Sequence, residues 1–417
     1  MRRTSVVRLL PNKGEEGKLK LLCSLSARLW NEVNYERRRQ FFSKKGVDMR
    51  GTYKTYYEKY KVLIGSATAQ QVLNKNDEAW RSFFASLRKK KTGGLPRHIT
   101  KVDPPGYMKD GGRRKLWAVL RNDQYKIEGD KLILKGLGAI GRLEVEYRGE
   151  IHLRGEQGRL EIINVDGAWY AHISFEAEEK AVRGAWREVP GTPRGGLRAG
   201  VDVGINNLLA VYVEDGRTAL YSGRPLKAIA FYYRRKIADY QSTLNGSRTS
   251  KRLRRLYRKW LRKARHFINT QVRRAIEWLY EGGVSTIYVG YPKEIARNNG
   301  NFYTVNLWHY GYLLKRVVEV AEEYGINAVL VPEEGTSKRC PIHGEGCGIR
   351  IKRGLFKCTK SGIVFNADLV GAYNIMAKSI APSPAGDRGN GPDTRPGAEP
   401  DGNVAPNLPA LAGTLAL

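Results

Sequence analysis

The sequence is short of cysteine, of acidic residues and of long apolar runs, and each shortage excludes something. Four cysteines in 417 residues are too few for a disulfide-built secreted domain. Three of them, Cys340, Cys347 and Cys358, fall in one short segment with His343 between the first two. That clustering reads as a metal site in a reducing compartment; Cys23 stands alone and reads as a small buried apolar residue. No apolar run approaches the roughly 20 residues of a membrane helix, and the start, MRRTSVVRLLPNKGEEGK, becomes charged too soon for a secretory signal. The expectation is a cytoplasmic, nucleoid-associated protein with no membrane partner. Acids number 41 against 73 Lys and Arg, a formal charge of +32. Adaptation to heat or salt would raise acids together with bases, so the excess implies a polyanion, nucleic acid first.

Hydrophobic residues at 41% and the chain length predict a folded protein of about two to four domains. Residues 3–10 read as a strand and the stretch to about residue 91 as helices. In TAQQVLNKNDEAWRSFFASLRKKK the residues Val72, Leu73, Trp80, Phe83, Phe84 and Leu87 share one helical face, a core pattern, ahead of a basic cluster. GGLPRHITKVDPPGYMKDGGRR reads as a loop. From about 114 to 180, short alternating runs broken by EGD, RGE and VDGAW turns predict a small antiparallel barrel or sandwich, which the first strand can join. VRGAWREVPGTPRGGLR reads as a linker. RAGVDVGINNLLAVYVEDGRTALYSG then predicts three strands, and KRLRRLYRKWLRKARHFINTQVRRAI a helix with an apolar stripe and otherwise Arg and Lys. VSTIYVGYP and INAVLVPEE read as strands around a further helix, and FNADLVGAYNIMAKS as a last helix. After Ala381 come seven of the 17 prolines, and a disordered tail is predicted.

A three-strand meander, helices, then strands alternating with helices is the element order of a ribonuclease H-like domain. Its chemistry gathers carboxylates from separate elements around two Mg²⁺ or Mn²⁺ ions, one activating water and one stabilising the leaving oxygen of a phosphodiester. Asp202 in GVDVGINN is one such acid: within an apolar strand it needs water, a partner or a metal, and Gly200 and Gly204 leave room beside it. The ordinary reading, a solvent-facing strand residue, stands beside it. Asp368 in FNADLVGAYNI sits in a helix's first turn, where a capping acid is ordinary. Cys340, His343, Cys347 and Cys358 supply four soft donors, the count for a closed structural Zn²⁺ site; a decayed, metal-free knuckle is the alternative.

In order across residues 198–378, GVDVGINNLLAV, GTSKRC, RGLFKC and FNADLVGAYNI resemble the TnpB family of insertion-sequence RNA-guided nucleases, related to type V CRISPR effectors and Fanzor proteins. The resemblance implies an α/β plus β-barrel chain. A wedge-type barrel would take 1–10 and 112–182, a helical recognition insertion 11–111, a RuvC nuclease 197–335 and 362–380, a zinc-ribbon-like target-nucleic-acid-binding segment 336–361, and the tail 381–417. Asp202 and Asp368 would be the first and last metal-binding carboxylates. Two departures follow. The family's catalytic Glu on the strand matching STIYVGYP is Gly290 here, and Glu333 takes the place of the relocated glutamate found in some members, with Glu334 disfavoured by strand alternation and Glu294 as fallback. The second knuckle reads Cys358-Thr-Lys-Ser361, and serine is a poor zinc ligand, so His343 completes the set.

The implied function is RNA-guided DNA endonuclease, with guide RNA and double-stranded DNA as partners and two copies on one RNA allowed. Arg88, Lys89, Lys90, Lys91, Arg254, Arg255, Arg258 and Arg262 are the residues expected on the nucleic-acid backbone. The rivals are an RNA-guided binder whose nuclease is dead because Glu333 is a mere turn acid, and a DDE-type transposase that uses no RNA.

Overall fold

The computed structural model describes residues 1–380 except 96–100, 109–115, 166, 183–184, 245–249, 292–308, 334, 337, 345 and 353. The expected disordered tail and the acids Glu294 and Glu334 lie outside the described residues. The chain divides into two compact units, Met1–Val189 and Pro190–Leu417.

In the first unit, β1 (Arg2–Leu9) is followed by helices α1 (Lys13–Phe42), α2 (Met49–Ile64) and α3 (Ser66–Lys91), then by β2 (Leu116–Leu120), β3 (Tyr125–Glu128), β4 (Lys131–Leu134), β5 (Leu143–Arg148), β6 (Leu153–Val165), β7 (Ala168–Val182) and β8 (Ala185–Glu188). All pair antiparallel in one eight-stranded sheet, β2-β6-β7-β1-β5-β4-β3 with β8 on β7. The Tyr125 hydroxyl on β3 donates to the Gly158 carbonyl on β6 at 3.0 Å, so the two ends of the sheet meet and the barrel nearly closes. β1 alternates, turning Ser5, Val7 and Leu9 inward, and for that period-two reason it finds partners in β5 and β7 only after the helices have intervened. The stretch read as a linker instead supplies β8: its Ala-Trp-Arg-Glu run pairs with residues 179–182 of β7, a short strand masked in sequence by the Gly and Pro around it.

α1 starts at a capping box, in which the Asn12 side chain accepts from Glu15 N and Glu15 accepts from Asn12 N. Trp80 and Phe83 are buried among the helices, the core role their spacing predicts. Arg37, fully buried, pairs with Asp77 at 2.6 Å and donates to Thr52 and Asn76 at 2.9 and 2.8 Å, tying α1 to α2 and α3. Removing one partner of such a buried pair costs about 3–5 kcal/mol.

The second unit opens with the antiparallel meander β9 (Leu197–Val203), β10 (Asn207–Val213) and β11 (Thr218–Ser222). The helices α4 (Arg224–Gln241) and α5 (Lys251–Glu281) come next, then β12 (Val284–Tyr291), α6 (Tyr310–Glu323) and β13 (Asn327–Pro332). The sheet order is β11-β10-β9-β12-β13, with β12 parallel to both β9 and β13. A three-stranded ribbon, β14 (Gly348–Lys352), β15 (Leu355–Cys358) and β16 (Val364–Asn366), leads into α7 (Ala367–Ile380). Strand alternation divides the apolar side chains between two cores. Val201, Val203, Leu209, Val211 and Val213 pack with Ile268, Val272, Ile276, Leu313 and Val317 of α5 and α6. Ala210 and Tyr212 pack instead with Leu369, Tyr373 and Met376 of α7. The same alternation puts Gly200 and Asp202 on the α7 face.

Candidate metal centres

On that face Asp202 lies against α7. A Cβ built on Gly371 would stand 2.6 Å from Asp202 Oδ2, and one on Gly200 would stand 1.9 Å from the Ala372 carbonyl oxygen. Both positions therefore need glycine for the helix to come so close to the strand. Asp368, in the first turn of α7, is not the cap. Asn366 Oδ1 accepts from the Asp368 and Leu369 amides at 3.0 and 3.2 Å, which leaves the Asp368 carboxylate to accept from Asn207 Nδ2 at 2.8 Å. Capping is thus done by its neighbour Asn366 and not by Asp368.

Glu333 directly follows β13. In the parallel ladder Gly290 pairs with Val331 and Tyr291 with Pro332, so the acid emerges just past the position of the missing glutamate. A Cβ on Gly290 would lie 2.7 Å from Glu333 Oε1 and 2.9 Å from its Cγ: the Glu333 side chain occupies the space that a side chain at 290 would need. Its Oε1 is buried with no hydrogen-bond partner among the described residues, and burial pushes the carboxyl up to about 7. Asp202 is raised well above its usual range, by burial first and then by the charges of Glu333 and Asp368, against a smaller opposing effect of Arg350. Three acids from β9, the end of β13 and α7 thus share one electrostatic neighbourhood. They do not close on a single ion position as tightly as the sulfur cluster does.

Among the described residues, that tighter group is Cys340, His343, Cys347 and Cys358, whose ligand atoms all lie within 4.8 Å of one another. His343 Nδ1 is 3.9 Å from Cys340 Sγ, 3.7 Å from Cys347 Sγ and 3.2 Å from Cys358 Sγ, and the Cys347 and Cys358 sulfurs are 3.8 Å apart. Tetrahedral Zn²⁺ with Zn–S of about 2.3 Å sets ligand separations of roughly 3.8 Å, so the donor set fits. Paired hydrogen bonds between Cys340 and Gly344, 2.7 and 3.0 Å, shape the first knuckle. Ser361 is no ligand; its amide donates to Cys358 Sγ at 3.4 Å. Burial disfavours the Cys358 thiolate, yet hydrogen bonds from Ser361 and His343 bring the thiol down to about 6.

Arg88, Lys89, Lys90 and Lys91 are exposed at the end of α3. On α5, Arg255 and Arg262 are exposed and Arg254 and Arg258 half-buried, while Leu253 joins Tyr233 and Ile237 in the core between α4 and α5. Asn207, Arg350, Gly371 and the cap Asn366 had no signal in sequence beyond the NN and FNAD strings in which two of them sit.

A TnpB-like protein, ORF457 of Acidianus two-tailed virus, is 41% identical over 407 residues, spanning 91% of this chain and 87% of the relative. The chain belongs to the TnpB family. Within it, residues 172–296 match a family model described as a probable transposase, OrfB_IS605, and residues 310–375 match the Cas12f1-like TNB domain. This TnpB-family chain is also 36% identical over 74 residues, 18% of each protein, to the CRISPR-associated endodeoxyribonuclease Cas12f1 of Sulfoacidibacillus thermotolerans. A cryo-EM structure of a Cas12f1–sgRNA–target DNA complex aligns with a TM-score of 0.55 at 14% identity, over 87% of this chain and 82% of that one, and the fold is shared. Among the described residues, no helix is long and apolar enough to cross a membrane.

Proposed function

We propose that this TnpB-family chain is an RNA-guided DNA endonuclease whose catalytic acids are Asp202, Glu333 and Asp368. The observation that carries the reading is the volume shared by Gly290 and Glu333. A carboxylate with an unpartnered buried oxygen fills the place of the expected side chain and acts electrically on Asp202. A turn acid has no reason to bury itself there, since an unpaired buried carboxylate is costly without a compensating cation. The sheet order β11-β10-β9-β12-β13 supports a RuvC-type, RNase H-like assignment for 197–335 and 362–380, and the barrel sheet supports a wedge assignment for the first unit, with 11–111 as its recognition insertion and 336–361 as the zinc-ribbon segment.

The acids fit hard divalent cations: all three offer oxygen donors, and burial raises the proton affinity of Asp202 and Glu333, which a cation would offset. Mg²⁺ or Mn²⁺ bound here would supply an activated water and a stabilised leaving oxygen. The chain's own part is to aim the three carboxylates, with Asn207 holding Asp368 and Gly371 giving Asp202 its room. Cys340, His343, Cys347 and Cys358 would hold a structural Zn²⁺, and the turn that follows Glu333 is tied to α7, where Asn374 Nδ2 donates to the Thr336 and Arg339 carbonyls at 2.7 and 2.8 Å. The +32 charge suits a guide RNA and a target DNA, with the basic ends of α3 and α5 on phosphates and base pairing left to read sequence.

The test is a cleavage assay with copurified RNA, Mg²⁺ and target plasmid, comparing parent, Glu333→Ala and Asp202→Ala. The parent should cut and both variants should bind without cutting. A parent that binds the guided target yet never nicks it would make the chain an occupancy-type binder, and a preparation that holds no defined RNA would favour a transposase acting on DNA directly.

A further inference from the structure

At the rim of the first unit's barrel lies a cavity of about 770 Å³, opened among β5, β6, β7 and β8. It is built by two irregularities in β6, where pairing with β7 shifts at Arg154/Gly155 and again between Gln157 and Leu160. Gly155 adopts φ +136, and a Cβ there would strike the Glu176 carbonyl oxygen at 2.0 Å, so only glycine lets the strand fold in on itself here. Bulges of this kind re-aim side chains beside binding sites. Rings from three strands line the space: Tyr147, Phe175 and Trp186. The Arg154 guanidinium stacks on Trp186, 3.9 Å from the ring centroid. The Gln157 amide also lines the cavity and has no hydrogen-bond partner among the described residues.

We propose that this cavity receives one unstacked nucleobase from a single-stranded stretch of nucleic acid. Its volume falls in the range of about 300–1,000 Å³ typical of small-molecule sites. Aromatic walls and a guanidinium plane suit a flat heteroaromatic ring, and a free amide offers one donor and one acceptor to a base edge. Two carboxylates, Glu150 in the lining and Glu179, 3.7 Å from Arg154, oppose entry of a phosphate. The choice of ligand class rests on the nucleic-acid reading above; the site rests on the cavity.

Single-stranded RNA carrying 4-thiouracil and single-stranded DNA carrying 4-thiothymine, irradiated with the full-length chain and mapped by mass spectrometry, test it. Crosslinks are expected on the segments of Tyr147 and Trp186, from RNA, DNA or both, which identifies the source. Trp186→Ala should weaken oligonucleotide binding between about 5- and 150-fold, the range for removing one base–aromatic stack, and Trp186→Phe should restore most of it. Gln157→Ala, at a partly exposed position that leaves the core intact, should cost about 2- to 10-fold on the preferred base. Tight binding with crosslinks only elsewhere and parent affinity in both alanine variants would overturn the cavity's role and leave the function standing. A parent that binds neither oligonucleotide would overturn both.

Discussion

Gly290→Ala is the sharpest perturbation this fold offers. The added methyl would sit 2.6 Å from Ile375 Cδ1, 2.7 Å from Glu333 Oε1 and 2.9 Å from Glu333 Cγ, where ordinary contact begins at 3.4 Å. Ile375 Cδ1 is the end of a flexible chain and can swing aside. Glu333 must give way by roughly 0.5–0.7 Å, more than the roughly 0.5 Å tolerance of a catalytic group. Overpacking of this size costs about 1–3 kcal/mol, a fall of a few degrees to about ten in Tm for a unit this large, so the chain should still fold and still bind. Cleavage should drop about 10- to 100-fold, the cost of misplacing a reacting group by up to about an ångström. The assay is single-turnover cutting of a supercoiled target at fixed Mg²⁺, with affinity measured in parallel by gel shift. Glu333→Ala should lose at least about 100-fold, since even outer partners of metal ligands are worth about 10- to 100-fold. The double change Gly290→Glu with Glu333→Gly, which moves the carboxylate onto β12, should recover part of the rate. Parent-like cutting by Gly290→Ala would refute the claim that the two positions share one working volume.

Three further outcomes follow. Because Glu333 is pushed up to about 7 from its ordinary 4.5, the folded chain holds a proton that the unfolded chain releases, so in chelator the second unit should lose stability as pH rises from about 4.5 to about 7, by about 3 kcal/mol at most. Asp202 shifts in the same direction; Glu333→Gln should flatten the melt profile, and Mg²⁺ at pH 8 should restore the lost stability. Elemental analysis should find one Zn²⁺ per chain, lost in Cys340→Ser and His343→Ala and retained in Ser361→Ala, whose hydroxyl is not a ligand. Replacing Arg254, Arg255, Arg258 and Arg262 together by Gln should lower the slope of log affinity against log salt by about 0.7 to 0.9 for each phosphate that is no longer neutralised; an unchanged slope would remove α5 from the interface.

The legible parts of this chain were those written in local periodicity. Asp202 stood out because it interrupts an apolar strand, and Cys340, His343, Cys347 and Cys358 because soft donors are rare here and fall within 19 positions of one another. Other features were hidden by what periodicity omits. β8 is four residues long and lies beside Gly and Pro that read as linker. Asp368 looked like a cap because sequence cannot tell which of two neighbouring polar residues does the capping, and the structure gives that work to Asn366. Arg350 acts on the charge of Asp202 from the ribbon, more than a hundred residues away along the chain, a distance over which no pattern carries information.

What unites the acidic site is missing side chains. Gly200, Gly290 and Gly371 stand on β9, β12 and α7, and a Cβ on each would meet, respectively, the α7 backbone, Glu333 and Asp202 at 2.7 Å or less, apart from the flexible Ile375 side chain at 290. Close packing leaves no spare volume for a carboxylate, so Glu333 and Asp202 each need a glycine opposite, and Gly200 lets α7 approach β9. A glutamate at 290 and a glutamate at 333 would compete for one space, and the loss of the first is the steric condition for burying the second. Gly290 therefore argues for an occupied acidic site, since a decayed nuclease would have no need to keep that position empty while placing an unpartnered carboxylate oxygen in it.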